Sequence, residues 1–246
     1  HRISKALMTD ICTSLEESGK KNATINRFIS AVSTVLKFCK ENEVITFDLP
    51  TPFKRRKERD KTVRKYYTKE QVKEMLRISK DYMFRDDLHD LILAASLTGM
   101  RLSELLKLPA WAVDFNLGVI NVEMTKNEEA RCVPIHPKLR STLIKRCEDA
   151  PPKGYPGVKV FGNDWKNADA VRWQFGQLIH KHMDFPDDGT YVFHCLRHSF
   201  ATWQLAGGCP PIDLMSILGH RHLQTTMVYA KPTDDGKRNS MNKLEF

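Results

Sequence analysis

Residues 194–229 read HCLRHSFATWQLAGGCPPIDLMSILGHRHLQTTMVY, and this stretch decides the fold and the chemistry of the chain. It places His194 and Arg197 three positions apart, so on a helix they share one face, where an imidazole and a guanidinium can bind one anionic group together. His220 and then the only tyrosine of the stretch, Tyr229, follow after apolar residues at helical spacing. The stretch therefore predicts a phosphate-binding site followed by a nucleophile.

The composition of the 246 residues is that of a globular protein with a sizeable core, since 41% of them are apolar. The longest apolar run, residues 91–97, is far shorter than the roughly 20 residues that cross a bilayer, so we expect no membrane helix. The six cysteines have neither CxxC spacing nor a dense framework, which favours reduced thiols over a zinc site. We therefore expect a cytoplasmic protein.

Positive charge is concentrated at the front of the chain. The net charge is +9, and the first 66 residues contain 15 Lys and Arg against 8 Asp and Glu. Residues 54–65, KRRKERDKTVRK, hold eight basic and two acidic residues and almost nothing apolar. Such a run predicts a solvated linker that would follow the phosphates of a nucleic acid, and an ordinary charged linker without a ligand is the alternative. The residues that we expect to contact DNA are Arg27, Lys54, Arg55, Arg56, Lys57, Arg59, Lys61, Arg64 and Lys65.

The pattern along the chain predicts two domains. Apolar residues recur at helical spacing over residues 22–42, and residues 2–18 suggest a shorter helix. Two or three helices are few for a domain, so we expect upstream sequence to be missing. Thr68 and Gln71 have capping-box spacing, which marks the start of a second domain. The predicted parts are a partial helical domain at 1–53, a basic linker at 54–65, a second domain at 66–230 and a C-terminal tail at 231–246.

The second domain is predicted to be mainly helical, with one small sheet. Residues 88–97 have the pattern of a buried helix that Gly99 ends, and a helix over residues 101–108 ends at Pro109. GVINVEM and RCVPI, on either side of TKNEEA, have the apolar pattern of a β-hairpin with Lys126 at its tip. Further helices are predicted over residues 138–147, 168–182 and 212–218. The predicted fold class is therefore mainly α with a small β-sheet (α+β).

Arg101, Glu104 and Lys126 complete the set of candidate site residues. Arg101 opens a helix, and a guanidinium at a helix N-terminus is well placed to bind an anion. Glu104 lies three positions further on and can hold that guanidinium in place. Each candidate also has an ordinary structural explanation, as a surface Arg-Glu pair, a solvated turn lysine, a core histidine or a core tyrosine. Their joint occurrence in this order favours a catalytic site.

Four separated strings resemble the motifs of the tyrosine recombinases, the integrases of phages and mobile elements. They are TGMRLSELLKL, TKNEEARCVPI, HCLRHSFATWQLAGG and LGHRHLQTTMVYA. The resemblance covers Thr68 to about Ala230, and residues 22–39 resemble, more weakly, the last helices of the family's core-binding domain. It implies a tyrosine-recombinase catalytic domain at 66–230, preceded by a small helical core-binding domain that grips DNA.

The resemblance also implies a role for each residue near the start of the second domain. Arg101 corresponds to the family's first catalytic arginine and Glu104 to the acid that supports it. Lys126 corresponds to the hairpin lysine, which would protonate the departing 5′ hydroxyl.

The remaining matched positions lie in the stretch quoted first. His194 and Arg197 correspond to the family's HxxR pair, with His194 as the candidate base for the nucleophile. His220 corresponds to the histidine that follows LG, and it would donate to a non-bridging oxygen. Tyr229 corresponds to the nucleophile, so the implied intermediate is a 3′-phosphotyrosyl enzyme, formed without metal, cofactor or ATP.

The same resemblance implies the partners. The family acts on double-stranded DNA as a homotetramer that holds two DNA sites, with accessory DNA-bending or directionality proteins as further possible partners. The tail at 231–246 would dock on a neighbouring subunit, or it would fray.

Three other functions are weighed against this one. A type IB topoisomerase shares the chemistry but relaxes supercoils, and the short length and the HCLRHSF and LGHRH strings favour the recombinase. A catalytically idle DNA-binding protein of the same fold is the second alternative, and the intact set of candidate residues argues against it. A metal-dependent hydrolase that uses the nine histidines fails on their spacing.

Overall fold

The structure, a computed structural model, describes residues 4–45, 53–57, 65–123, 130–148 and 157–230. The chain divides into two compact units, His1–Val63 and Arg64–Phe246. This division falls within residues 54–65, the stretch for which the sequence predicts a linker.

The first unit is built on two helices, α1 (Lys5–Glu17) and α2 (Asn22–Glu41). α1 begins after Ser4, whose hydroxyl accepts a hydrogen bond from the N–H of Leu7 at 3.1 Å. The apolar faces of the two helices meet in a small core, which contains Met8, Cys12, Ile25, Ile29, Leu36 and Phe53. Both helices predicted for this part of the chain are thus present.

The first residues of the basic run pack on this unit through their backbone. The side-chain amide of Asn26 accepts the N–H of Arg56 at 2.8 Å and donates to the carbonyl of the same residue at 2.9 Å. Asn22 donates to the carbonyl of Lys57 at 2.8 Å, and the Arg56 guanidinium lies 2.8 Å from Glu16 on α1. The described start of the predicted linker is therefore held against the helices by hydrogen bonds, which need no apolar side chain.

The described part of the second unit is mainly helical, with one small sheet. Its helices are α3 (Lys69–Asp81), α4 (Asp86–Thr98), α5 (Leu102–Lys107), α6 (Pro137–Cys147), α7 (Ala168–His182), α8 (Cys195–Ala206), α9 (Pro211–Leu218) and α10 (Leu223–Met227). Its strands are β1 (Val113–Asp114), β2 (Val119–Val122) and β3 (Arg131–Pro134), and they form an antiparallel sheet in the order β1-β2-β3. The predicted fold class is confirmed. Within the described residues, no helix has the length and apolar character needed to cross a membrane.

α3 begins at the predicted capping box. The hydroxyl of Thr68 accepts from the N–H of Gln71 at 3.2 Å, and the Gln71 side chain accepts from the N–H of Thr68 at 2.8 Å. α4 then forms the centre of the unit, with Leu88, Leu91 and Ile92 fully buried. Because a helix that is apolar on all sides must be covered, α3, α5, α6, α7 and α8 all pack against it.

β2 and β3 form the hairpin that the sequence predicts, with Ile120 paired to Val133 and Val122 paired to Arg131. Lys126, the predicted tip residue, lies outside the described residues. Burial alternates along β3, so that Arg131 and Val133 face the core. The strand therefore brings an arginine into the interior directly after the hairpin.

α4 ends at Gly99, whose φ of +65° lies in the left-handed region that glycine adopts without strain. A Cβ at this position would lie 2.4 Å from a ring carbon of Phe200 on α8 and 2.9 Å from a methyl of Leu218 at the end of α9. The missing side chain therefore lets α4, α8 and α9 meet closely at Gly99. Arg101 follows two residues later in the chain.

We predict that Gly99→Ala lowers the free energy of unfolding of the second unit by roughly 2 to 4 kcal/mol, through backbone strain and overpacking together. Chemical denaturation followed by circular dichroism measures the loss.

Gly118→Ala is the matched control. Gly118 also has a positive φ, +67°, but a Cβ there meets nothing within 4 Å. Its substitution should cost only the backbone strain, on the order of 1 kcal/mol. Equal losses for the two variants would contradict the close packing at Gly99.

Candidate active site

Arg197 is the most deeply placed of the candidate site residues. It lies in the first turn of α8 and is 2% exposed. Its guanidinium donates to the carbonyl of Gly99 at 2.8 Å and to the carbonyl of Leu218 at 2.7 Å. Burial, and after it the positive charge of Arg101, lowers the pKa of Arg197 to about 10, which still leaves the side chain charged at pH 7. One buried cation thus joins α8 to the ends of α4 and α9.

The C-terminus of α9 supplies carbonyl groups to two arginines. The last four carbonyls of a helix have no partner within it, and the backbone of the turn at Gly219 satisfies two of these four. The carbonyl of Ile217 accepts from Nε of Arg131 at 2.9 Å. The carbonyl of Leu218 accepts from Arg197. All four terminal carbonyls of this short helix are therefore satisfied, two of them by buried cations.

Glu104 links Arg101, at the start of α5, to Arg131 on β3. Its carboxylate accepts the backbone N–H of Arg101 at 2.7 Å and lies 3.4 Å from the guanidinium of the same residue. It also accepts from Nη2 of Arg131, at 2.8 and 2.9 Å. The Glu104 and Arg131 side chains are each only 4% exposed, whereas the Arg101 side chain is 31% exposed. The sequence predicts Glu104 as the support of Arg101, and the structure adds a buried ion pair with Arg131.

Tyr229 lies just after α10 in a small apolar cluster. The cluster contains Phe200, Ala201, Leu214, Leu218 and Tyr229. The phenol is buried, and its hydroxyl oxygen is 2.8 Å from Nδ1 of His198. Negative charge on the Tyr229 oxygen acts to raise the pKa of Arg197. The predicted nucleophile is therefore near a buried cation and in hydrogen-bond contact with a histidine.

The other two histidines, His220 and His194, lie near Tyr229 and near His198 respectively. Nδ1 of His220 is 2.8 Å from Oγ1 of the buried Thr226, and its ring is stacked 6.5 Å from the Tyr229 ring. His194 is exposed at the start of α8, with its ring 4.6 Å from the ring of His198 and edge-on to it. His194 thus lies against His198, and both His198 and His220 lie against the Tyr229 ring.

A cavity of about 590 Å³ has Arg101, Ser103, Trp173 and His194 in its lining. Two of the predicted phosphate ligands therefore face one space that is open to a ligand. α7 contributes the opposite wall, which carries the exposed Trp173.

The structure brings six of the seven predicted catalytic and supporting residues into one neighbourhood. They are Arg101, Glu104, His194, Arg197, His220 and Tyr229. Lys126 lies outside the described residues, although the strands on either side of it are described.

The structure describes six of the residues predicted to contact DNA. Arg27, Lys54, Arg55, Lys57 and Lys65 are exposed, and Arg56 is half-buried beside Glu16. The guanidinium of Arg55 also donates to the hydroxyl of Ser30 at 2.9 Å. Arg59, Lys61, Arg64 and the tail at 231–246 lie outside the described residues.

Sequence reasoning missed three residues of this site. Arg131 has a signal, since the alternation of the hairpin strand places it on the same face as the apolar Val133. His198 also has one, because it follows Arg197 directly and lies one helical turn after His194. Thr226 has no signal in the sequence.

The described residues contain no group of three or more histidine, cysteine or acidic side chains that could hold a metal ion. All six cysteines lie within the described residues and are free thiols. Burial raises the pKa of the Cys195 thiol, which keeps it protonated. The chemistry available here is therefore that of a hydroxyl nucleophile, histidines and fixed cations around an anion.

Residues 65–235 match the sequence profile of the phage integrase family. The tyrosine recombinase XerA of Pyrococcus furiosus is 31% identical, over 70% of this chain and 59% of its own length. The tyrosine recombinase XerC of Bacillus pumilus is 28% identical, over 92% of this chain and 76% of its own length. Among solved structures, the Tn1549 transposon integrase in complex with transposon right end DNA has a TM-score of 0.78 at 21% identity, covering 98% of this chain and 85% of that chain. The chain thus spans less than two thirds of the length of the XerA relative.

We predict that Arg131→Met lowers the free energy of unfolding by about 3 to 5 kcal/mol, because the Glu104 carboxylate stays buried after losing a buried charge partner. Chemical denaturation of the purified variant measures this.

Arg77→Met is the control for the loss of an arginine. Arg77 pairs with Glu74 on the exposed face of α3, where both side chains are more than 40% exposed, and surface pairs contribute little. A loss in Arg131→Met no larger than that in Arg77→Met would show that the buried pair is not a stabilising element.

Proposed function

We propose, since this chain belongs to the phage integrase family, that it is a site-specific DNA recombinase. It cleaves and rejoins DNA strands through a 3′-phosphotyrosyl intermediate on Tyr229. The observation that carries this proposal is the position of the Tyr229 hydroxyl, which lies beside a histidine and within the electrostatic reach of the buried Arg197. The hydrogen bond alone would also suit a structural tyrosine, and it is the combination with the buried cation that favours a nucleophile.

The fixed cations support phosphoryl transfer in particular. A phosphodiester repels nucleophiles, and its pentacoordinate transition state gathers negative charge on the non-bridging oxygens. Arg101, with its partly exposed guanidinium beside the cavity, and Arg197 would neutralise that charge. Each such preorganised donor is typically worth roughly 3 to 4 kcal/mol of barrier.

The remaining groups then have separate tasks. His220, which is oriented by Thr226, donates to a non-bridging oxygen, and His194 binds the same phosphate from the cavity side. The Tyr229 oxygen attacks phosphorus, and the bond from phosphorus to the 5′ oxygen breaks. We infer that Lys126 protonates the departing 5′ hydroxyl. Attack by the 5′ hydroxyl of another strand reverses the steps and needs neither metal nor ATP.

Double-stranded DNA is the proposed substrate, and the net charge of +9 supports it. The Tn1549 integrase, which shares this fold, was solved with DNA, and the XerA and XerC relatives are named as recombinases. The helical unit and the exposed lysines of the basic run, Lys54 and Lys57, would grip the duplex. The proposed parts of the chain are the helical domain at 1–53, the basic linker at 54–65, the catalytic domain at 66–230 and the tail at 231–246.

We further infer the assembly in which this chemistry acts. A homotetramer on two DNA sites would supply the second strand for exchange, and the tail at 231–246 would dock on a neighbouring subunit. DNA-bending or directionality proteins would select the direction of the reaction. The place of action would be the cytoplasm, on the DNA of a bacterial nucleoid.

The first test is covalent trapping on DNA. Duplexes that carry a binding site selected from a random library, each nicked at a different position, are incubated with the protein in EDTA. We predict a protein–DNA adduct on a denaturing gel with the wild type. Tyr229→Phe should bind the same duplex with unchanged affinity and give no adduct, because it lacks the attacking oxygen.

Tyr82→Phe is the control, since Tyr82 is exposed at the end of α3 and should leave the adduct unchanged. An adduct with Tyr229→Phe would contradict the assignment of the nucleophile. Recombinant product from two sites separates a recombinase from a topoisomerase, which would only relax supercoiled DNA. Tight binding with no adduct from the wild type would point to an idle binding protein.

The second test concerns the basic run. We predict that the double variant Lys54→Gln, Lys57→Gln binds DNA more weakly at every sequence and that the slope of log affinity against log salt becomes shallower by about 2, because two phosphate contacts are lost. Fluorescence anisotropy over a range of salt concentrations measures the slope.

Lys80→Gln, Lys138→Gln changes the net charge by the same amount, at exposed positions on α3 and α6. This control should keep the wild-type slope. The same slope in both double variants would show that the first residues of the basic run do not contact phosphates.

A further inference from the structure

The hydroxyl of Tyr229 has a hydrogen-bond partner to which neither the sequence motifs nor the proposed mechanism gives a task. Nδ1 of His198 is 2.8 Å from the Tyr229 oxygen, and the two rings lie 5.5 Å apart at 42°. His198 follows Arg197 directly on α8 and is half-buried. The contact is thus made from the same helix turn that carries the buried cation.

We propose that His198 is a catalytic residue of this site. It accepts the proton of Tyr229 when the phenol attacks the phosphate, and it returns that proton when the strand is rejoined. This inference rests on the proposed tyrosyl transfer. It moves the task of the base from His194, to which the sequence motif assigns it, to the next histidine along the helix.

The reaction needs such a group. A phenol with an ordinary pKa of about 10 is ionised in roughly one molecule in a thousand at pH 7, so an unassisted Tyr229 is a poor nucleophile. A hydroxyl nucleophile is activated by an adjacent base within hydrogen-bond reach, at about 2.6 to 3.2 Å. The contact between His198 and Tyr229 lies within that range. An imidazole with a pKa near 6.5 can take the proton and give it back.

The positions of the three histidines divide the work. His220 uses Nδ1 for Thr226, and in the tautomer whose Nδ1 accepts from the Thr226 hydroxyl its Nε2–H is a donor suited to a phosphate oxygen. His194 is exposed and faces the cavity together with Arg101, where the phosphate would bind. His198 lies between His194 and Tyr229, with ring contacts to both.

The proton and electron balance of the step closes with groups that are already present. The O–H bond of Tyr229 breaks and its proton goes to Nδ1 of His198, while the oxygen forms a bond to phosphorus. The bond to the 5′ oxygen breaks, and that oxygen takes a proton from the general acid, Lys126. In rejoining, a 5′ hydroxyl gives its proton back to the neutral amine of Lys126 while its oxygen bonds to phosphorus, and the Tyr229 oxygen leaves and takes the proton from His198. Nδ1 can accept in this way in the tautomer that carries hydrogen on Nε2.

The electrostatic surroundings favour the same transfer. A phenolate at Tyr229 attracts Arg197, and the tyrosine's charge acts to raise the pKa of that arginine. The proton can pass to His198 without leaving an uncompensated negative charge in the apolar cluster around the ring.

The test separates hydrogen bonding from proton transfer. In His198→Asn the side-chain amide reaches the position of Nδ1, so it keeps a hydrogen-bond partner for Tyr229 but accepts no proton. We predict that the single-turnover rate of adduct formation falls by about a hundredfold or more, with DNA affinity and thermal stability unchanged. His182→Asn, at the exposed end of α7, is the control and should cleave at the wild-type rate.

A second measurement checks that the loss is one of basicity. Difluorotyrosine, whose phenol is far more acidic, is placed at position 229 by site-specific incorporation. Because an acidic phenol needs no base, it should restore roughly tenfold or more of the rate to His198→Asn. It should give the protein with His198 intact no such gain.

Three results would overturn the inference. Wild-type rates in His198→Asn would show that the contact has no part in the reaction, and faster cleavage would show that His198 restrains the nucleophile. A slow variant that difluorotyrosine does not rescue would assign His198 to structure alone. Failure of the proposed function looks different, since the wild type itself would then form no adduct.

Discussion

The hydrogen bonds that tie the guanidinium of Arg197 to the carbonyls of Gly99 and Leu218 hold the functional elements of the second unit together. A buried charge needs partners, and the carbonyl ends of helices are the negative ends of their dipoles. α4 and α9 both end in glycines with positive φ, which turn the chain away and leave their last carbonyls available. Two helix ends therefore converge on one cation, and the chain segments that follow them carry Arg101 and His220.

The positive charge of the site comes from Arg197, which satisfies the helix ends, and from Arg101. Arg131 is neutralised by Glu104 deep in the unit, while Arg101 keeps a partly exposed guanidinium beside the cavity. Tyr229 reaches this potential because its ring packs in the apolar cluster under α8 and α9. Packing, buried ion pairing and the placement of the hydroxyl are thus one arrangement. The substitutions that remove the cations are expected to weaken both the fold and the reaction.

The sequence predicts the features that have local signals. The capping box at Thr68, the end of α4 at Gly99 and the hairpin around Lys126 follow from short patterns, and the fold class follows from them. The contact of the basic run with Asn22 and Asn26 does not, because it depends on backbone groups distant in sequence. The ion pair of Arg131 is likewise set by tertiary structure, and the contact of His198 with Tyr229 appears only when α8 and α10 meet. The chemical roles of all the candidate site residues, Lys126 and His194 included, stay predictions.

The central claim is that this site forms a bond between Tyr229 and a DNA 3′ phosphate. Mass spectrometry of the trapped adduct tests it most directly. After digestion with nuclease and trypsin, the nucleotide should be found on the peptide HLQTTMVYAKPTDDGK, residues 222–237, whose only tyrosine is Tyr229. A 3′-phosphonucleotide on that tyrosine, formed in EDTA, is the expected result. A nucleotide attached to any other residue, or linked through its 5′ phosphate, would contradict it.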